Sequence, residues 1–148
     1  MNRKINGRRF RTIEEIYAAV PDAGCKGLCQ DSCGPIGASR QEIRRAKQVG
    51  YDLMRPAEKL LTLSTVVGGI PMCPALEKDD GTCAIYAIRP LICRLWGVTD
   101  DMPCIYGCEP ERMLTRKEAR HLLTESVRLG GRVTLAPFEP TVRPKEAP

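Results

Sequence analysis

Residues 73–97 read "CPALEKDDGTCAIYAIRPLICRLWG", and the fold turns on what their three cysteines do. Cys73, Cys83 and Cys93 recur at intervals of ten residues. Asp80-Gly81 between short apolar runs predicts a small β-hairpin. Pro90, at a first helical position, predicts a short helix running through Cys93 to Trp96. Arg89 and Arg94 set a cation on either side of Cys93. Three thiols on short local elements, beside two cations, ask for a chemical rather than a packing explanation.

Working outward, composition limits what burial can do. The 148 residues are 43% hydrophobic but only 5% aromatic, so one domain with a modest aliphatic core is expected. Twelve prolines and thirteen glycines impose many turns and few long elements. A chain so punctuated calls for staples, and eight cysteines can provide them. Disulfides require an oxidising compartment. The N-terminal "MNRKINGRRFRTIEEIYAAV" is basic but lacks an apolar signal region, and no long apolar run predicts a membrane span. The expected location is therefore cytoplasmic, where clustered thiols read as metal ligands.

Three helix starts carry capping boxes. Thr12 with Glu15 opens a helix over 13–20; Ser39 with Glu42 opens "RQEIRRAKQVGYDLM"; Thr115 with Glu118 opens "RKEARHLLTESVRL". Ile43, Ala46, Val49 and Leu53 form the apolar stripe of the second helix. Ala119, Leu122, Leu123 and Val127 form that of the third, which should end at Gly130-Gly131. "EKLLTLSTVVGG" fits a short helix or a strand. Residues 1–11 read as a basic arm expected to fray, 12–131 as the domain, and 132–148 as a flexible proline-rich tail. The predicted fold class is a small α-rich α+β domain with short helices and a β-hairpin, irregular and metal-stapled.

Thiolate sulfur binds zinc tetrahedrally or holds iron–sulfur clusters, normally four sulfurs to a site. The candidate ligands are Cys25, Cys29, Cys33, Cys73, Cys83, Cys93, Cys104 and Cys108. They allow one or two four-thiolate sites, and any group of four joins distant segments. A metal would then close the fold where the core is thin. Four thiolates around a divalent ion leave a net charge of about −2, which Arg89 and Arg94 can offset as a shell behind the ligands. Two such sites would lower the formal +5 by about 4. The aromatics Tyr86, Trp96 and Tyr106 are expected to pack around the metal centre. His121, the single histidine, is expected at an ordinary helix position rather than as a ligand.

The elements Cys73 to Leu76, Gly81 to Tyr86 and Arg89 to Arg94 together resemble the YkgJ-like cysteine-cluster family. That family shows a Cys-x-x-Leu segment, a Gly-x-Cys-x-Ile-Tyr step and then Arg-Pro-x-x-Cys-Arg. The resemblance spans residues 25–108, with all eight cysteines inside it. It implies chelation of zinc or iron. The family's opening cluster is usually Cys-x-x-Cys-x-x-Cys-Cys, whereas Cys25, Cys29 and Cys33 are more widely spaced here. Cys104 and Cys108 are the candidates to supply what is missing. A related domain in flagellin lysine methylases is associated with an iron–sulfur cluster. These 148 residues leave no room for a methyltransferase domain, so that activity is not carried over.

The leading expectation is thus a metal-binding protein using zinc or iron, with an iron–sulfur cluster as one form. The alternative is a metal-folded module that binds nucleic acid or a protein partner through basic helices such as "EIRRAK". No aromatic platform accompanies those helices. Nothing resembles a catalytic signature: there is no His-Glu metal motif, Ser-His arrangement or phosphate-cradling glycine loop.

Overall fold

In a computed structural model of the chain, residues 4–25, 37–53, 66–67, 70–71, 73–77 and 79–132 are described. Four helices dominate the described residues. They are α1 (Ile13–Ala19), α2 (Arg40–Gln48), α3 (Leu91–Leu95) and α4 (Arg116–Gly130). Two antiparallel two-stranded ladders join them: β1 (Val66–Val67) with β2 (Ile70–Pro71), and β3 (Val98–Thr99) with β4 (Met102–Pro103). The result is a small α-rich domain, as expected. Cys29, Cys33, most of "EKLLTLSTVVGG" and the tail beyond 132 lie outside the described residues.

The helix starts follow the local code. Ser39 and Thr115 each accept the amide of the residue three ahead, and Glu42 and Glu118 return the bond to the cap. At α1 only half the box forms. Thr12 accepts from Glu15 N–H, but the Glu15 carboxylate takes Arg11 N–H instead. Pro90 stands just before α3, as its N-cap, rather than inside the first turn.

The stops differ more from expectation. Helix α2 closes at Gln48, because Gly50 at φ 96° permits a Schellman ending. Gly50 N–H returns to Lys47 O and Tyr51 N–H to Ala46 O. Val49 consequently leaves the predicted stripe and is 56% exposed, while Leu53 is buried from beyond the helix. In α4, Val127 is 38% exposed, and Glu118, Glu125 and Ser126 occupy the inner face with Ala119 and Leu122. The hairpin predicted at Asp80-Gly81 shrinks to one antiparallel bridge, Leu76 with Cys83. Bonds from Glu77 N–H to Thr82 O and from Ala84 N–H to Ala75 O support it.

Two separate apolar clusters result. The larger gathers Ile5, Phe10, Ile16, Leu91, Leu95, Val98, Leu114, Ala119 and Leu122 from the arm, α1, α3, β3, the segment before α4 and α4 itself. The smaller holds Ala46, Leu53, Ala75 and Ile85, with Cys73, Cys83, Tyr51 and Ile88 packed against it. Residues 4–11 are not frayed. Ile5 and Phe10 are buried, Phe10 N–H donates to the Glu125 carboxylate at 3.0 Å, and Arg128 donates to Phe10 O.

Candidate metal centre

The most organised thiol is Cys104. It opens the turn Cys104-Ile105-Tyr106-Gly107-Cys108, which follows β4 directly. Gly107 N–H returns to Cys104 O at 3.2 Å, and Gly107 itself holds φ 78°. The turn thereby aims successive amides inward. The N–H groups of Cys108 first, then Tyr106 and Gly107, hydrogen-bond to Cys104 and hold its thiol below the ordinary value; the Cys108 side chain adds to them, and burial opposes them. Amides converging on one sulfur are what a thiolate ligand needs in order to carry negative charge. Cys108 is buried and Cys104 half-buried.

A second glycine fixes where this turn sits. Gly97 follows α3 at φ 82°, and a Cβ there would lie 3.3 Å from Cys104 Cβ. Close approach at Gly97 thus sets the turn against the end of the helix that carries Cys93.

Cys73 and Cys83 form the other pair, one on each side of the short hairpin. Burial pushes the Cys73 thiol up and the neighbouring Cys83 raises it further, while the amides of Ala75 and Leu76 pull the other way. Two amides therefore face Cys73, as three face Cys104. Cys83 begins its own turn, with Tyr86 N–H returning to Cys83 O. Cys93 is half-buried on α3, and Cys25 is exposed after α1.

The described cysteines are thiols, with no disulfide among them. Among the described residues no three Cys, His, Asp or Glu side chains come together, so the two pairs stand apart. The donor chemistry of each pair suits a thiophilic metal: soft sulfur with backbone amides behind it. His121 is not near these sulfurs by any described contact; its Nε2 lies 2.7 Å from Arg8 O.

Arg94 Nε donates to Arg89 O and its Nη2 to Ala87 O, with the guanidinium 3.9 Å above the Tyr17 ring. Arg89 donates to Tyr86 O and lies 3.9 Å above the Tyr86 ring. The expectation that the aromatics pack inward is corrected. Tyr86, Trp96 and Tyr106 are 49%, 42% and 37% exposed, and Ile85 is the buried apolar residue of this region.

The family comparison fits this geometry. A family model described as "Putative zinc- or iron-chelating domain", CxxCxxCC, matches residues 24–119. The chain belongs to the CxxCxxCC family. Its matched span contains all eight cysteines and stops within the first turns of α4, and it supports metal binding by zinc or by iron. Neither a curated protein nor a solved structure gives a significant match. No helix among the described residues is long and apolar enough to cross a membrane.

Sequence reasoning missed a buried carboxylate that positions the centre. Glu42, 2% exposed, accepts from Tyr17 OH and Leu91 N–H at 2.7 Å each, and from Ser39 N–H and Oγ. It thus ties α1 and α2 to the first turn of the Cys93 helix. Glu42 was legible only as half of a capping box. The amide cradle of Cys104 was also missed, although Gly107 directly before Cys108 signalled it.

Proposed function

We propose that the chain chelates zinc or iron through two thiol pairs, Cys73/Cys83 and Cys104/Cys108. Cys25, Cys29, Cys33 and Cys93 complete one or two four-thiolate sites. The observation that carries this reading is the family match over residues 24–119, which takes in all eight cysteines. The short turn from Cys104 to Cys108 and the bridge between Leu76 and Cys83 supply the paired thiols it needs. An iron–sulfur cluster uses the same ligands and is one form that iron would take here. The bound metal would tie the smaller apolar cluster, with only four buried residues, to the rest of the fold.

Arg89 and Arg94 would offset the site's negative charge as a shell behind the ligands. Bonds from Arg89 to Tyr86 O and from Arg94 to Arg89 O and Ala87 O fix the two guanidinium groups and leave further N–H groups on each for sulfur.

The test is elemental analysis and visible spectroscopy on protein purified without oxygen. Stoichiometric zinc without colour, or iron with broad visible absorbance, is the expected outcome. Cys104→Ser and Cys73→Ser should each lower the bound metal. A folded, metal-free protein, or eight sulfurs joined in disulfides, would overturn the proposal.

A further inference from the structure

We infer that the side formed by the N-terminal arm and the open face of α4 binds double-stranded nucleic acid through its phosphate backbone. This goes beyond metal chelation and uses none of the cysteines. The arm runs alongside α4 in the same direction. Arg8 O meets His121, Phe10 N–H meets Glu125, and Phe10 O meets Arg128. Positions 121, 125 and 128 make one stripe on a helix. The arm's cations therefore lie beside those that α4 turns to solvent.

Charge on this side has one sign. Lys4, Arg9, Arg11, Lys117 and Arg120 are exposed and make no ion pair among the described residues. Arg8 is half-exposed, with its guanidinium 4.6 Å above the Phe10 ring. Residues 4–11 contain no carboxylate. The only carboxylates on α4, Glu118 and Glu125, are buried and paired with Arg112 and Arg128. At the borders, Asp101 is bonded to Arg116, and Glu15 accepts Arg11 N–H. Burying the acids and exposing the bases leaves a positive field that neighbouring charges do not cancel.

The shape selects among polyanions. Helix α4 has 15 residues, about 22 Å of length, and a duplex of that length carries about 13 phosphate charges. An anionic membrane would need apolar anchors. Among the described residues, Val127 is the one large exposed apolar side chain on the arm or α4. An acidic peptide would need a groove. The depression beside α4, about 300 Å³ and lined by Asp101, Met102, Arg116, Ala119, Arg120 and Leu123, contains an acid of its own. An exposed row of guanidinium and ammonium groups, on an arm whose backbone is fixed to α4, suits a regular phosphate lattice.

The experiment uses the full-length protein as purified with its metal, a fluorescein-labelled mixed-sequence DNA duplex, and anisotropy over a range of salt. The expected slope of log affinity against log salt is about −4 to −5, for five cations meeting five phosphates. The double variant Arg9→Ala/Arg120→Ala should make that slope shallower by about two, with metal content and melting temperature unchanged. Arg44→Ala/Lys47→Ala on α2 should leave the slope as it was. Absence of binding at low salt overturns the inference, as does a slope unchanged in the double variant. So does tighter binding to poly-glutamate or phosphatidylserine vesicles than to DNA. Because metal content is read separately, failure of chelation and failure of this surface remain distinguishable.

Discussion

The cluster beneath α1, α3 and α4 and the cluster around the Cys73–Cys83 hairpin solve the same problem with different materials. In the first, nine buried apolar side chains come from six parts of the chain, and leucine, isoleucine and phenylalanine supply the volume. In the second, only four are buried, two of them alanines, and two cysteines form part of the wall. Fully burying a large aliphatic side chain is worth about 1.5–3 kcal/mol, and an alanine far less. Apolar burial alone therefore leaves the cysteine side thin. The larger body has more apolar burial behind it, and the smaller is placed where sulfur–metal bonds would contribute most.

Stripping the metal should produce the largest effect and can break this comparison outright. With a strong chelator, hydrogen-exchange protection at Ala84 and Ile88, whose amides bond within the hairpin region, should fall by about a hundredfold or more. The Leu122 amide inside α4 should change little. Equal loss at both places would mean the two regions form one cooperative unit; no loss at either would remove the metal from the fold's support.

Next in size is a cut into the aliphatic cluster. Leu122 is fully buried, so Leu122→Ala should cost about 3 kcal/mol in urea denaturation. Metal content should stay at the wild-type level. If metal were lost together with stability, the two regions would be coupled far more tightly than their separate packing indicates.

These regions also differ in how legible they were in the sequence. Ser39/Glu42, Thr115/Glu118 and the Gly130-Gly131 stop act within a few residues, so local sequence declares them. Gly131 adopts φ 88°, and a Cβ on Gly130 would collide with the Ser39 side chain. Val49 and Val127 misled because periodicity counts apolar residues without asking what faces them. The docked arm could not be read, since Phe10 finds its partners at Glu125 and Arg128, more than a hundred residues away. The Val98–Pro103 hairpin was legible in principle from the Asp100-Asp101 turn between β3 and β4, but it went unread. The cysteines announced their chemistry through count and compartment, while the grouping into pairs depended on amides that no residue pattern displays.

Glu42 joins the two regions, because α2 also sends Ala46 into the smaller cluster. Glu42→Gln would replace one acceptor oxygen with an NH₂ that faces donors. The cost should be about 2 kcal/mol. A double-mutant cycle with Tyr17→Phe should show a coupling of about 1 kcal/mol, since both alter the same hydrogen bond. Additive effects would deny that this carboxylate links α1 to the Cys93 helix.

The smallest effect concerns the arm's anchor on the larger cluster. Hydrogen bonds from Arg128 chiefly, and from Phe10 N–H, hold the Glu125 carboxyl down to about 2 from its ordinary 4.5, against the opposing effect of burial. A folded-state value below the unfolded one means that the carboxylate contributes its full stability above about pH 4.5. That contribution is lost as pH falls through about 2. Urea midpoints measured from neutral pH into this acid range should decline for the natural chain, and Glu125→Gln should flatten part of that decline. Identical profiles for the two proteins would show that other carboxylates carry the acid sensitivity. The fixed arm, and with it the alignment of Arg8, Arg9 and Arg11 beside α4, would then rest on the burial of Ile5 and Phe10 instead.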